Sequence, residues 1–367
     1  MADRQCAGIM RVRAFLFCIG FLFSPALVSG SENVRVALAD NQKSVVITSR
    51  SGFIREGQPF SRDERRLVFS AASVGGRPVR IRASGELTQV NGRGYRGWIE
   101  LRKKQNGLLL VINDLDIEDY LKGVITSEVP SDWHAEALKA QAVASRTFAL
   151  YEKRAAGSRA YHILATVKSQ VYNGGSGEQS SGIQAVRETA GLIIAYRGEI
   201  IPAFYHSSCG GQTENADELW GIDEPYLKGV DCECQQIIRD GLWEKRISMT
   251  HIADALRRRG FRLGDILGMG IEGITPAGRV KNVTIHHQSG KKLVPAERLR
   301  AAVGNTLIPS VFFELEVSEG DAVFSGRGSG HGVGLCQWGA EEMAGSGHDF
   351  KAILSHYYPG TSLVRME

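Results

Sequence analysis

Between residues 31 and 112 the chain alternates short apolar runs with single polar or charged positions. Val34-Arg-Val-Ala-Leu38, Ser44-Val-Val-Ile-Thr48, Arg66-Leu-Val-Phe69, Val79-Arg-Ile-Arg82, Trp98-Ile-Glu-Leu101 and Leu108-Leu-Leu-Val-Ile112 have strand length. Turn residues separate them, which predicts antiparallel sheets. Gly75-Gly76, Asn91-Gly92, Arg93-Gly94 and Asn106-Gly107 supply the positive φ that tight turns need. The arginines alternating with apolar residues read as a solvated face.

At Asp116 the period changes. Asp116 can cap a helix whose apolar face is Tyr120, Leu121, Val124 and Ile125, with Leu115 and Tyr120 spaced as a hydrophobic staple. Pro130 ends that helix and biases Val129 toward an extended conformation, so Glu128 stands at a corner. Ser131 and Asp132 are cap candidates for a second, alanine-rich helix with Ala135, Leu138, Ala142, Val143, Ser145, Phe148 and Ala149 on small or apolar positions, ending at Gly157. Further on, residues 165–172 read as a strand and 181–190 as a short helix. Leu192–Tyr196 and Glu199–Tyr205 pair as a hairpin around Arg197-Gly198. Residues 237–327 open with a helical pattern through Ile252 and Leu256, ending on Arg257-Arg-Arg259, and continue as strands near 278–285.

A chain of 367 residues with 43% hydrophobic content can bury a sizeable core. The net charge of +4 falls to +2 once Arg4, Arg11, Arg13 and Asp3 are set aside. That is no basis for a nucleic-acid partner, and none is expected. The three arginines precede the apolar run Ala14–Phe23 and the segment Ser24–Gly30, the pattern of a secretory signal peptide cleaved after Gly30. The run is short for a membrane span, so a membrane contact is expected only if this segment stays uncleaved. The expected location is the periplasm or cell envelope.

Val129, Pro130 and Trp133 would desolvate Glu128 on one side, raising its pKa and keeping a proton available near neutral pH. A Glu at such a place is otherwise a solvated helix-end group. The surrounding motifs are specific. Glu118-Asp-Tyr-Leu-Lys-Gly-Val, Ser127-Glu-Val-Pro, Glu136-Ala-Leu-Lys-Ala-Gln-Ala-Val-Ala and Arg146-Thr are followed by Ala203-Phe-Tyr-His-Ser-Ser-Cys-Gly-Gly-Gln-Thr213 and Pro225-Tyr-Leu227. Gly328-Ser-Gly-His-Gly-Val-Gly-Leu-Cys-Gln-Trp-Gly-Ala340 and His356-Tyr-Tyr-Pro-Gly360 complete the set. Together they resemble the SpoIID/LytB family of peptidoglycan lytic transglycosylases and amidase modifiers. The resemblance implies a catalytic Glu128 and a glycan cleft touched by Arg146, Gln170, Tyr172, His206, Ser207, Gly210, Gly211, His331 and Gln337. It implies glycan strands as partner and, for some relatives, a cell-wall amidase. The expected fold is α+β, with antiparallel β-rich flanks around a central helical segment. Its expected parts are a signal peptide (1–30), a β-rich region (31–112), a catalytic core (113–236), an accessory α/β region (237–327) and a glycine-rich segment completing the cleft (328–367).

Setting the signal segment aside leaves Cys209, Cys232, Cys234 and Cys336. One reading is a disulfide from Cys209 to Cys232 or Cys234. The other is a structural zinc site of His206, Cys209, Cys232 and Cys234, whose His-x-x-Cys and Cys-x-Cys spacings suit a tetrahedral ion. Some family members are understood to bind zinc near this loop.

Hydrolytic glycosidases ordinarily use two carboxylates. Here Glu118, Asp119 and Glu136 read as helix-surface groups, which leaves Glu128 alone. A single carboxyl suffices if the 6-hydroxyl of muramic acid attacks its own anomeric carbon. The glycine run at 328–334 has no βαβ unit or ribose-binding acid to make it a dinucleotide site. A Cys336–His331 nucleophile lacks a group to orient the imidazole.

Overall fold

The computed structural model describes residues 32–366 apart from 59, 60, 62, 86, 167, 168, 233 and 235–240. The expected signal peptide lies outside the described residues. No helix among the described residues is long and apolar enough to cross a membrane. The described residues from 32 to 366 lie in one compact unit, packed around three large cores and a small apolar cluster of Ala37, Leu110 and Ile112.

The first core is built by the N-terminal strands. A six-stranded sheet runs in the order Ile163–Leu164, Asn33–Gln42, Leu109–Asp116, Trp98–Lys103, Val79–Ala83, Phe53–Arg55. Beside it, a four-stranded antiparallel sheet takes Arg66–Ser70, Ser44–Thr48, Thr88–Val90 and Arg93–Tyr95. Asn91 and Gly92 both have positive φ, 48° and 85°, and close the last hairpin as its two-residue turn. Val34 pairs with Leu115 across the large sheet, and Val34, Ile81, Ile99, Leu101 and Val111 face one core with Tyr120, Leu121, Val124 and Ile125. The alternating arginines do more than face water. Arg35 and Arg102 both reach Glu100, which is buried, and Arg80 holds Asp114 at 2.9 Å and Glu56 at 2.6 Å.

Two helices leave this sheet and turn at the glutamate. The Ile117–Glu128 helix is capped by Asp116, whose side chain accepts from the Glu118 and Asp119 N–H groups. The long Ala135–Ala156 helix starts later than the serine and aspartate suggest. His134 is its cap, and Ser131 and Asp132 stay exposed in the connecting turn. Alanines at 137, 140, 142, 144 and 149 are buried, so this helix lies between the first and second cores.

The second core gathers the antiparallel strands Leu192–Tyr196, Glu199–Ile200 and Ser362–Arg365, and the parallel pair Tyr205–His206 with Leu335–Cys336. The predicted strand at 165–172 is not formed among its described residues. Only Ile163–Leu164 pairs, and the Val171 N–H, which a ladder would have used, is donated to Glu128.

The third core belongs to residues 242–327. It holds two three-stranded antiparallel sheets with the helices Met249–Arg258 and Ala296–Val303. Arg257 and Arg258 close the last turn of the first of these helices, as their charge suits.

Candidate active site

Glu128 is the last residue of its helix, and Val129 leaves it with φ −134° and ψ 154°, as a residue before proline should. Three donors reach its carboxyl: the Val171 backbone N–H, the Tyr205 hydroxyl and the Gln337 side-chain amide. Burial raises its pKa from 4.5 to about 7, and the three donors only partly oppose that rise. Of the three residues expected to desolvate it, Val129 is buried. Pro130 is exposed, and the Trp133 ring packs on Trp338 at 4.8 Å. The 171 segment, Tyr205 and Gln337 also cover the carboxyl, and none of them brings a second carboxylate.

Behind the glutamate lies a polar network. Gln170, fully buried, donates to the Tyr205 hydroxyl at 3.0 Å and to the Ser145 carbonyl at 3.2 Å, and accepts from the Tyr120 hydroxyl at 2.9 Å. Gln337 donates to Gln141 at 3.4 Å, and Gln141 donates to the Ser145 hydroxyl at 2.9 Å. Burial pushes the Tyr120 and Tyr205 phenols well up, so both remain donors. Tyr205, Gln141, Ser145, Tyr120 and the Val171 N–H were missed by sequence reasoning. Tyr205 had a signal: side chains alternate along a strand, so Tyr205 and His206 point to opposite sides.

The remaining expected cleft residues fall in different places. Arg146 is fully buried and binds both Glu118 oxygens at 2.7 Å, with a further bond to the Leu192 carbonyl at 3.1 Å. The expected substrate contact of Arg146 is therefore corrected to an internal clamp, and Glu118 is its partner rather than a free surface acid. Tyr172 is also buried; its hydroxyl donates to Asn113 at 2.9 Å and its ring packs on Tyr120 at 4.9 Å. His206, on the far side of its strand from Tyr205, places Nδ1 3.2 Å from the Val333 carbonyl. His331 is half-buried and accepts from the Val333 N–H at 3.1 Å; burial, aided by Arg300, takes its pKa down to about 3. The Ser207 carbonyl accepts from the Trp338 N–H at 3.1 Å. A Cβ on Gly210 would meet the Arg327 side chain at 3.1 Å, and the Gly211 N–H points to Cys209 Sγ at 3.3 Å.

Cys209, Cys232, Cys234 and Cys336 converge, all buried, with their Sγ atoms within 4.8 Å of one another. None is bonded to another. The fourth sulfur is that of Cys336, in the position the sequence reading gave to His206. A tetrahedral zinc with Zn–S bonds of about 2.3 Å needs sulfurs about 3.8 Å apart, and Cys209 and Cys234 stand 3.5 Å apart. Backbone N–H groups of Cys209 and Gly339 point at Cys336 Sγ, at 3.3 and 3.4 Å. With the Gly211 contact, the convergence of four buried sulfurs suits a metal ion.

The glycine run lets the chain pass close to this cluster. Gly332 has φ 87°, and a Cβ there would fall 2.5 Å from the Arg279 guanidinium; at Gly334, with φ 71°, it would fall 2.1 Å from the Phe204 carbonyl oxygen. Arg279, buried, donates to the Cys209 carbonyl at 2.7 Å and the Gln212 carbonyl at 3.0 Å, and lies 3.7 Å from Glu214.

Residues 105–196 match the family described as Stage II sporulation protein, and residues 215–334 match a domain of unknown function. An uncharacterized protein of Brachyspira hyodysenteriae is 36% identical over 71% of this chain and 69% of its own length. Stage II sporulation protein D of Bacillus amyloliquefaciens is 30% identical over 69% of this chain and 75% of its own. The amidase enhancer of Bacillus subtilis is 28% identical over 66% of this chain, which spans only 40% of that relative.

Proposed function

The chain belongs to the SpoIID/LytB family, and from that premise we propose that it is an exported peptidoglycan lytic transglycosylase with Glu128 as its proton-transfer group. The observation that carries this reading is one carboxyl, at a pKa of about 7, held by three neutral donors. Such a group is present in both forms at neutral pH. Protonated, it gives its proton to the glycosidic oxygen as the bond to the muramic acid anomeric carbon breaks. As the carboxylate, it then takes the proton of that sugar's 6-hydroxyl while the oxygen closes on the same carbon. The products are a free 4-hydroxyl and a 1,6-anhydromuramyl end, with no water consumed and the enzyme returned to its starting state. Tyr205, Gln337 and the Val171 N–H stabilise the carboxylate between the two transfers. The four cysteines would hold a structural zinc, closed by four protein ligands.

Mass spectrometry of purified glycan strands after digestion is the test. Anhydromuramyl ends that disappear with Glu128→Gln support the reading, and reducing ends, or no cleavage, overturn it. A second reading, a glycan-binding modifier that stimulates a cell-wall amidase, has one observation in its favour: the relative named amidase enhancer. It predicts amidase stimulation that survives Glu128→Gln.

A further inference from the structure

Next to the glutamate corner, the start of the long helix and the Ser180–Glu188 helix enclose a small cavity of about 80 Å³. Trp133, Leu138 and Ala185 form its apolar wall, and Ser181 and Gln184 its polar rim. It is fixed to the corner at two points. The Ser181 hydroxyl donates to the Ser131 carbonyl at 2.6 Å, and Gly182 sits so close to the glutamate's helix that a Cβ would meet the Thr126 methyl at 2.9 Å. None of the lining residues takes part in the hydrogen bonds of Glu128.

Size, lining and charge narrow what fits. The cavity suits a substituent rather than a pyranose ring. Lys139 on its edge is shared between Glu136 at 2.8 Å and Glu188 at 2.6 Å, so its charge is more than offset by two carboxylates and a neutral group is preferred to an anion. Ser181 keeps acceptor capacity after its one donated bond. Gln184 spends one N–H on Glu188 at 2.8 Å and retains its carbonyl and a second N–H. An apolar wall beside paired amide donors and acceptors matches a methyl joined to an amide.

Resting on the glycan reading above, we propose that this cavity receives the N-acetyl group of a hexosamine neighbouring the cleavage point. The methyl lies against Trp133, Leu138 and Ala185, and the amide is bonded by Gln184 and Ser181. Specificity for N-acetylated glycan then comes from the helix pair beside the acid and not from the acid itself.

The test is a calorimetric titration of the Glu128→Gln protein with chitohexaose and with cellohexaose, which carries a hydroxyl in place of each acetamido group. Chitohexaose should bind at least about tenfold more tightly, the discrimination a lost buried polar match produces. Ala135 is exposed at the cavity mouth, and adding Ala135→Phe should remove that preference while cellohexaose binding and melting temperature hold. Gln184→Ala, at an exposed helix position, should reduce the preference and decides the matter if the Phe variant fails to fold. Chitohexaose binding whose ratio to cellohexaose is untouched by either variant overturns the cavity assignment and leaves the glycan reading standing. If neither hexaose binds and the native protein releases no anhydro ends, the glycan reading falls and the cavity assignment with it.

Discussion

Glu128 is more comfortable protonated than ionised, and this has a measurable sign. Its folded pKa of about 7 lies above the ordinary 4.5, so between those values the native state binds more protons than the unfolded chain. Stability attributable to this group is therefore full below pH 4.5 and is lost as pH rises through 7, by at most about 3 kcal/mol. Glu128→Gln should escape that loss: in urea titrations it gains on the native protein between pH 5 and pH 8 while glycan cleavage falls about 10²-fold to 10⁴-fold. A gap independent of pH would mean that the carboxyl is solvated. Tyr205→Phe removes a donor that favours the carboxylate, so the pKa should rise further and the alkaline limb of the kcat/KM profile, where the donated proton is lost, should move to higher pH. An unmoved limb would separate Tyr205 from the acid.

At the scale of elements, Arg146 ties three of them together: its own long helix, Glu118 on the glutamate's helix, and the carbonyl of Leu192. Arg146→Ala strands a partly buried carboxylate and should cost about 3–5 kcal/mol. Denaturation should therefore register the change before any glycan-binding assay does; weaker binding at unchanged stability would restore Arg146 to the cleft. The two helices and most N-terminal strands were legible in sequence because their signals are local: Asp116 as cap, Pro130 as stop, and apolar residues at periods of two and 3.6. The polar network was less so. Tyr205, Gln170 and Gln141 become partners only through pairings between distant segments, and a buried glutamine reads in sequence like an exposed one. The 165–172 stretch misled for a related reason, because its strand-like composition serves a segment whose amide is taken by a side chain. Cys336 was overlooked as a ligand because it is far from the other three in the chain, whereas His206 was near.

Across the whole molecule, residues 242–327 form a core of their own, yet Arg279 within them reaches the carbonyls of Cys209 and Gln212. The cysteine cluster joins the loop after the Tyr205–His206 strand to the Leu335–Cys336 strand just before Gln337, so it braces two of the three donors on Glu128. Metal analysis should find about one zinc per chain, with four free thiols after denaturation in chelator. Stripping the metal should lower glycan cleavage and loosen both segments in hydrogen exchange; protein that carries no metal and shows a cross-link through Cys209 would sink this assignment. The parallel pairing of Tyr205–His206 with Leu335–Cys336 also sets an order of events. A chain made from its N-terminus produces Glu128 long before Gln337. Until the late strand arrives, the glutamate is a wet helix-end carboxyl, ionised at neutral pH, with no proton to give. Long-range pairings form slowly, so on refolding from urea the helical signal should return first and cleavage afterwards. If Glu128 is the proton-transfer group proposed above, the topology acts as a timer that leaves a half-made chain unable to cleave glycan.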